Sequence, residues 1–297
     1  MKHLMIITIL VLSGIAGLAQ TEQEAAATDS TPPEKSTFTI GAQYATNASY
    51  YGQKAIEKTP YVALVASYNH RSGFYVNSMA YRLLKDSSRL ASAYAAGAGF
   101  TFNISKSLEA DIGYTYTFFP KLSPFLQAAN PHNASATLTL EKWITAAAAF
   151  DFTFGKTNDI FVTPAISKQI RLIDIDSNSM ILFTPEINVT AGTQRFYEYY
   201  QEDKKTRDSI LGKVFERLPV DLPIPGNPNR PDNPPTTIMK SSSSFDLLSY
   251  NLKLPVAYYR PHCLFELSCL FSLLGQKVET DPGKLNTFFT ASFYYQF

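Results

Sequence analysis

From position 37 to the last residue, hydrophobic and polar side chains alternate with a period of two. The stretch 108–118 is clearest. Leu108, Ala110, Ile112, Tyr114, Tyr116 and Phe118 fall on one face, with Glu109, Asp111, Gly113, Thr115 and Thr117 on the other. A helical period would mix these sets, so the segment is a strand. The preceding stretch sets Tyr94, Ala96, Ala98, Phe100 and Phe102 against Ala95, Gly97, Gly99, Thr101 and Asn103. Only Ser105-Lys106-Ser107 lies between the two, which makes them a hairpin. The same reading places strands at 37–50, 60–69, 74–84, 90–104, 108–118, 133–142, 144–155, 159–171, 179–197, 243–258, 263–274 and 286–297. Many are as long as a tilted bilayer crossing, roughly 9–11 residues.

The connections sort by length. Short ones fall at His70-Arg71-Ser72-Gly73, 105–107, Lys142-Trp143, 174–178 and Arg260-Pro261-His262. Longer ones fall at 51–59, 119–132, 198–242 and 276–285, while the turn at 156–158 and the link at Lys85-Asp86 are short exceptions. Bacterial barrels have short periplasmic turns and longer extracellular loops. The expectation is an all-β fold: a transmembrane antiparallel up-and-down β-barrel of about twelve strands, both ends in the periplasm. A secreted β-sandwich also alternates, but its polar face meets solvent and favours Lys and Glu. Here that face is rich in Gly, Ala, Ser and Thr, which suits a concave inner wall. Aromatics near strand ends (Tyr50, Tyr51, Phe118, Phe119, Phe196, Tyr197, Tyr258 and Tyr259) are expected to form girdles at the two water interfaces.

The start of the chain bears on compartment. Lys2 and His3 precede an apolar run from Leu4 to Leu12, and Gly17-Leu18-Ala19 offers a signal-peptidase site. Residues 1–19 read as a signal peptide, since the run falls short of the roughly 20 apolar residues of a spanning helix. Residues 20–36 are polar and read as a flexible periplasmic segment, ahead of a barrel over 37–297. The net charge of +1 and the absence of a Lys/Arg block argue against nucleic-acid binding. With 18 Tyr and 21 Phe, the composition favours strands. Cys263 and Cys269 share one predicted strand about 20 Å apart, too far for a disulfide, and read as small lipid-facing residues.

The chain ends Phe293-Tyr294-Tyr295-Gln296-Phe297, with Phe293, Tyr295 and Phe297 on one face. This tail resembles the C-terminal signal of Gram-negative outer-membrane barrels. The resemblance implies recognition by the barrel-assembly machinery and a place in outer-membrane lipid. The Tyr- and Phe-heavy strands and the Gln at the expected mature N-terminus resemble Bacteroidetes-type proteins.

Inward-facing ionisable residues are the functional clue. On the strand parity they are Glu109, Asp111, Glu141, Asp151, Arg171, Glu186, Lys253 and Glu266. Acids outnumber bases, so a water-filled lumen would favour cations or small neutral polar solutes. A plugged interior, with Arg171 and Lys253 pairing these carboxylates, is the equal alternative. Outer-membrane phospholipases use a Ser–His–Asn constellation, and the nearest match is His132-Asn133-Ala134-Ser135. Three residues apart, His132 and Ser135 point to opposite faces of a strand, which disfavours catalysis. No Cys/His cluster, phosphate loop or nucleophile elbow occurs, so neither metal, cofactor nor catalytic residue is expected. Within 198–242, Ile210, Leu211, Val214, Phe215 and Leu218 have helical spacing, and a proline-rich run follows. Two functions remain: a channel for small polar solutes, or a non-conducting barrel binding a partner through that loop.

Overall fold

The computed structural model describes residues 35–85, 91–121, 123–195, 199, 201, 204–205, 245–279 and 281–297. The expected signal peptide, and the expected helix at 202–218 except for helical positions 204 and 205, lie outside these residues. Most of the 20–36 segment lies outside them too.

The first strands are β1 (Thr37–Ala45), β2 (Tyr61–Asn69), β3 (Phe74–Leu83), β4 (Ala93–Ser105), β5 (Leu108–Phe118), β6 (His132–Glu141), β7 (Thr145–Phe154) and β8 (Asn158–Ser167). Then come β9 (Ile170–Asp176), β10 (Ser179–Phe183), β11 (Glu186–Gly192), β12 (Asp246–Arg260), β13 (Cys263–Leu274) and β14 (Leu285–Gln296). All pairings are antiparallel. β1 pairs with β14 and β11 with both β8 and β12, so twelve strands close into a barrel. Closure leaves the ring without an edge, as a sheet in hydrocarbon requires.

Two expected strands are each broken in two. The stretch 159–171 divides into β8 and β9, and 179–197 into β10 and β11. The break falls where Pro185, which has no N–H, accepts from the Lys168 amide instead of extending the ladder. β12 therefore takes two successive neighbours on one side. Its first half pairs with β11, and Val256 to Tyr259 pair with β10. The β9–β10 ribbon lies outside the closed ring.

The outer face of the barrel is apolar. Leu64, Ile112, Phe152, Ile187, Leu267 and Phe289 all point outward and are exposed. A continuous surface of this kind is incompatible with water and matches lipid. Leu64 is 63% exposed and central in β2. Leu64→Arg is expected to destabilise the barrel by about 2–4 kcal/mol in urea-dependent folding into lipid vesicles. A change under about 0.5 kcal/mol would place this face in water. Cys263 and Cys269 lie on β13 as free thiols, neither fully buried.

Candidate functional site: the lumen and its plug

Inward side chains divide the barrel by height. Near the short-turn end the inward wall carries Thr137, Thr139, Ala147 and Ala149, all half-buried, and this stretch is termed the vestibule. Glu109 lies opposite Thr139 in the register, and Glu141 is two residues further along the same face. These two half-buried carboxylates share that stretch.

Higher up the wall is polar and packed. Asp111 accepts hydrogen bonds from the Tyr75 hydroxyl at 3.0 Å and from Thr101 Oγ1 at 2.7 Å. The Tyr75 ring fits because Gly99 has no side chain; a Cβ there would lie 2.2 Å from the phenolic oxygen. Asp151 accepts from Asn133 Nδ2 at 3.3 Å. Glu186 accepts from Asn188 Nδ2 at 2.6 Å, and Asn188 Oδ1 accepts from Asn251 Nδ2 at 2.7 Å. Asn251 Nδ2 also donates to Ser249 Oγ at 3.0 Å. Lys253 stands opposite Glu186 in the register, fully buried. Its ammonium has no hydrogen-bond partner among the described residues. Glu266 lies on β13, opposite Ala257 and one strand from β12.

Seven of the eight expected lumen residues thus lie on strands of the closed ring. Arg171 does not. It lies in β9, outside the ring, exposed and 3.5 Å from Asp174. Strand parity was continued through 168–169, where the strand breaks, and parity does not survive a break. His132 bonds the outward Tyr114 hydroxyl at 2.6 Å and stacks on Phe154. Ser135 lies on the other face, near the inward Gly113, so the two make no catalytic pair.

The long-loop end is closed by two connections that fold inward, which the sequence reading missed. The first, L1 (residues 46–60), ends in a tight turn. Tyr50 and Gln53 exchange backbone hydrogen bonds of 2.8 and 3.0 Å around Tyr51 and Gly52. Both central residues have positive φ, 51° and 80°, the geometry of a type I′ turn. For tyrosine this backbone is unfavourable by about 1–2 kcal/mol. Compensation comes from packing: the Tyr51 ring stacks on Phe161 at 3.5 Å and 14°. The Ser249 hydroxyl donates to the Tyr51 carbonyl at 3.0 Å, and Asn286 Nδ2 to the Gly52 carbonyl at 3.2 Å. L1 leaves the wall between β1 and β2 and reaches across to β8, β12 and β14. Burial pushes the Tyr50 phenol far above its usual range, so it stays protonated.

The second connection, L3 (residues 119–131), buries Phe125, Leu126 and Ala129. Phe125 packs with Tyr61, Met79 and Tyr81 of β2 and β3. Leu126 and Ala129 join Tyr50, Tyr51, Phe161 and Leu248 in a second apolar cluster. L3 is fastened through Asp159, which is fully buried. Asp159 accepts from Asn130 Nδ2 at 2.6 Å, Thr193 Oγ1 at 2.5 Å and the Arg195 amide at 3.1 Å. The expected girdle is corrected here: Tyr50 and Tyr51 are 2% and 3% exposed inside the plug, whereas Phe118 is outward as expected. Phe196 and Tyr197 lie outside the described residues. A sequence signal for the plug was present in the apolar runs Tyr50-Tyr51 and Phe125-Leu126, which are too hydrophobic for loops in water.

No protein-family model and no curated protein matches the chain. Solved structures of similar shape include the KdgM porin, 8% identical with a TM-score of 0.48, covering 87% of this chain and 99% of that one. An outer-membrane channel from Pseudomonas putida F1 is 10% identical, with a TM-score of 0.46 and coverage of 92% and 100%. The NanC porin is 7% identical, with a TM-score of 0.44 and coverage of 87% and 98%. These figures describe a shared shape and bear on neither cargo nor activity.

Proposed function

We propose that the protein is an outer-membrane channel for small polar solutes, closed at its extracellular mouth by L1 and L3. The short turns then lie in the periplasm and the long connections outside, as in bacterial barrels. One observation carries the reading. Beneath the plug the wall is polar, and the tip of L1 meets that wall through two backbone carbonyls hydrogen-bonded to side chains. Such bonds can be exchanged for water at small net cost, about 0.5–1.5 kcal/mol each. The direct test is planar-bilayer recording of purified protein beside a variant lacking residues 48–57. Absence of current from both, with intact folds, would leave the second reading: a sealed barrel that binds a partner. The buried aromatic plug itself favours that second reading.

Selectivity follows from the vestibule charges. Glu109 and Glu141 are half-buried there, and among the described strand residues the fully buried Lys253 is the cation on the lumen wall. Cations and neutral solutes are favoured over anions. In the background lacking 48–57, Glu109→Lys with Glu141→Lys is expected to shift the reversal potential in a KCl gradient from cation towards anion preference. An unchanged potential would remove these carboxylates from the conduction path.

The tail is part of the same proposal. Phe293 and Tyr295 share the outer face of β14, the exposed Phe297 follows the strand, and its amide donates to the Phe38 carbonyl at 2.8 Å. Deleting Phe297 is expected to lower the amount of heat-modifiable barrel in cell envelopes several-fold through the assembly machinery. The same variant should still fold in detergent, because one backbone bond contributes only about 1 kcal/mol.

A further inference from the structure

Buried polar groups in folded proteins almost always have hydrogen-bond partners. Beside the tip of L1, the lumen wall breaks that rule repeatedly over a small area. Asn251 on β12, Ser272 on β13 and Asn286 on β14 stand side by side in the register. Among the described residues, Asn251 and Asn286 each leave the carboxamide oxygen unpartnered, and Ser272 its hydroxyl. Lys253 and Ser268 follow on the same inward face towards the short-turn end, and their polar atoms are unpartnered too. All five residues are buried. Neighbouring strands are about 4.8 Å apart, so the patch is about 10 Å across.

The plug meets the edge of this patch as a ligand would. L1 presents two backbone carbonyls, which accept from Ser249, two residues from Asn251, and from Asn286 Nδ2. Glycine at 52 permits the approach, since a side chain there would run into Ser272 Oγ. Carbonyls only accept, so the oxygens of Asn251 and Asn286 gain nothing from them. We infer that the tip of L1 occupies one end of a solute subsite, and that this subsite takes a neutral polyhydroxylated molecule, a mono- or disaccharide. The inference rests on the channel reading and names its solute class.

The charges select neutrality. Lys253 is opposed in register by Glu186, and Glu266 lies on the adjoining strand, opposite Ala257. The ammonium repels cations from the patch, while the two flanking carboxylates leave no surplus positive charge for an anion. The unpartnered atoms select hydroxyls. Two carboxamide oxygens need donors, the ammonium needs an acceptor, and the serines take either. A hydroxyl both donates and accepts, so a molecule carrying several neighbouring hydroxyls meets all of them. An ether of the same size offers acceptors alone.

The test is saturation-transfer NMR on the purified full-length protein in sugar-free detergent micelles, with maltose as the probe. Gluconate and a polyethylene glycol dimethyl ether of similar size serve as controls. Saturable maltose binding is expected, at least about tenfold tighter in the variant lacking residues 48–57, because the tip no longer competes. If that variant is not heat-modifiable, Tyr51→Ala takes its place, since it loses the stack on Phe161 and keeps the loop. In the same background, Ser268→Ala with Ser272→Ala should weaken binding at least about fivefold. Neither hydroxyl has a partner among the described residues, so the barrel should stay heat-modifiable. Equal affinity with and without the docked tip, indifference to the serine pair, or equal binding of gluconate or the ether would overturn the proposal. So would an absence of maltose binding in every variant. The readout needs no current: conductance without maltose binding would remove the subsite alone, and maltose binding without conductance would remove transport alone.

Discussion

Gly52→Leu is expected to convert a closed barrel into a conducting one. A Cβ at this position would lie 2.1 Å from Ser272 Oγ and 2.7 Å from Ser249 Oγ, both on the wall. The φ of 80° independently disfavours any residue with a side chain. The tip of L1 therefore cannot dock as it does, and Tyr51 loses its stack on Phe161. A displaced carbonyl pair and aromatic stack, plus the clash, amount to about 3 kcal/mol or more. That corresponds to a shift of about a hundredfold in the closed-to-open ratio, read as open probability in single-channel records. Gly52→Ala combined with Ser272→Ala removes the nearest obstruction and should recover part of the closure, since only the backbone strain and a milder contact remain. If Gly52→Leu left the barrel intact and silent, L1 would not be the gate.

Asp159→Ala should produce the largest loss of stability outside the membrane-facing surface. The carboxylate gathers donors from L3, from the end of β11 and from the Arg195 backbone. Removing it leaves the buried Asn130 amide with Thr153 as its remaining acceptor and takes the acceptor from two part-buried donors, Thr193 Oγ1 and the Arg195 amide, for a total of about 2–4 kcal/mol. The measurement is the urea midpoint of protein refolded into vesicles, read beside trypsin cleavage at Lys121. Faster cleavage should accompany the lower midpoint, because Asn130 holds the far end of L3. Asp159→Asn keeps the shape and should fall between. A midpoint shift worth less than about 0.5 kcal/mol would remove Asp159 from the role of clamp.

Much of the fold was legible in the chain because a two-sided wall writes a two-residue period into its sequence. β5 runs over 108–118 as expected, and β13 over Cys263–Leu274. Where one face meets lipid and the other the lumen, a slip of one residue would exchange them, so register and sequence constrain each other strongly. The same rule put Glu109, Asp111, Glu141, Asp151, Glu186, Lys253 and Glu266 on the polar face, and all seven lie on strands of the closed ring. It failed at Arg171, because Lys168-Gln169 interrupts the ladder opposite Pro185, whose missing N–H is a mark of such a break. It also failed for 46–50, which the expected strand 37–50 included although β1 ends at Ala45.

The functional site was less legible than the wall that carries it. Charges in the lumen could be counted from parity, but their accessibility depends on what folds in above them. Tyr51 meets Phe161, and Ser249 meets the Tyr51 carbonyl, across separations of 110 and 198 residues. No local pattern encodes such meetings, since they require the barrel to have closed and brought opposite strands within reach. By itself the sequence determined the number of crossings, the lipid and lumen faces, and the sorting of long and short connections. Each of these follows from a local choice between hydrocarbon and water. Tertiary structure alone decided that L1 and L3 turn inward, that Asp159 clamps them, and that β9 leaves the ring with a free edge. Those outcomes depend on which surfaces remain uncovered after closure, a property of the assembled ring and not of any one strand.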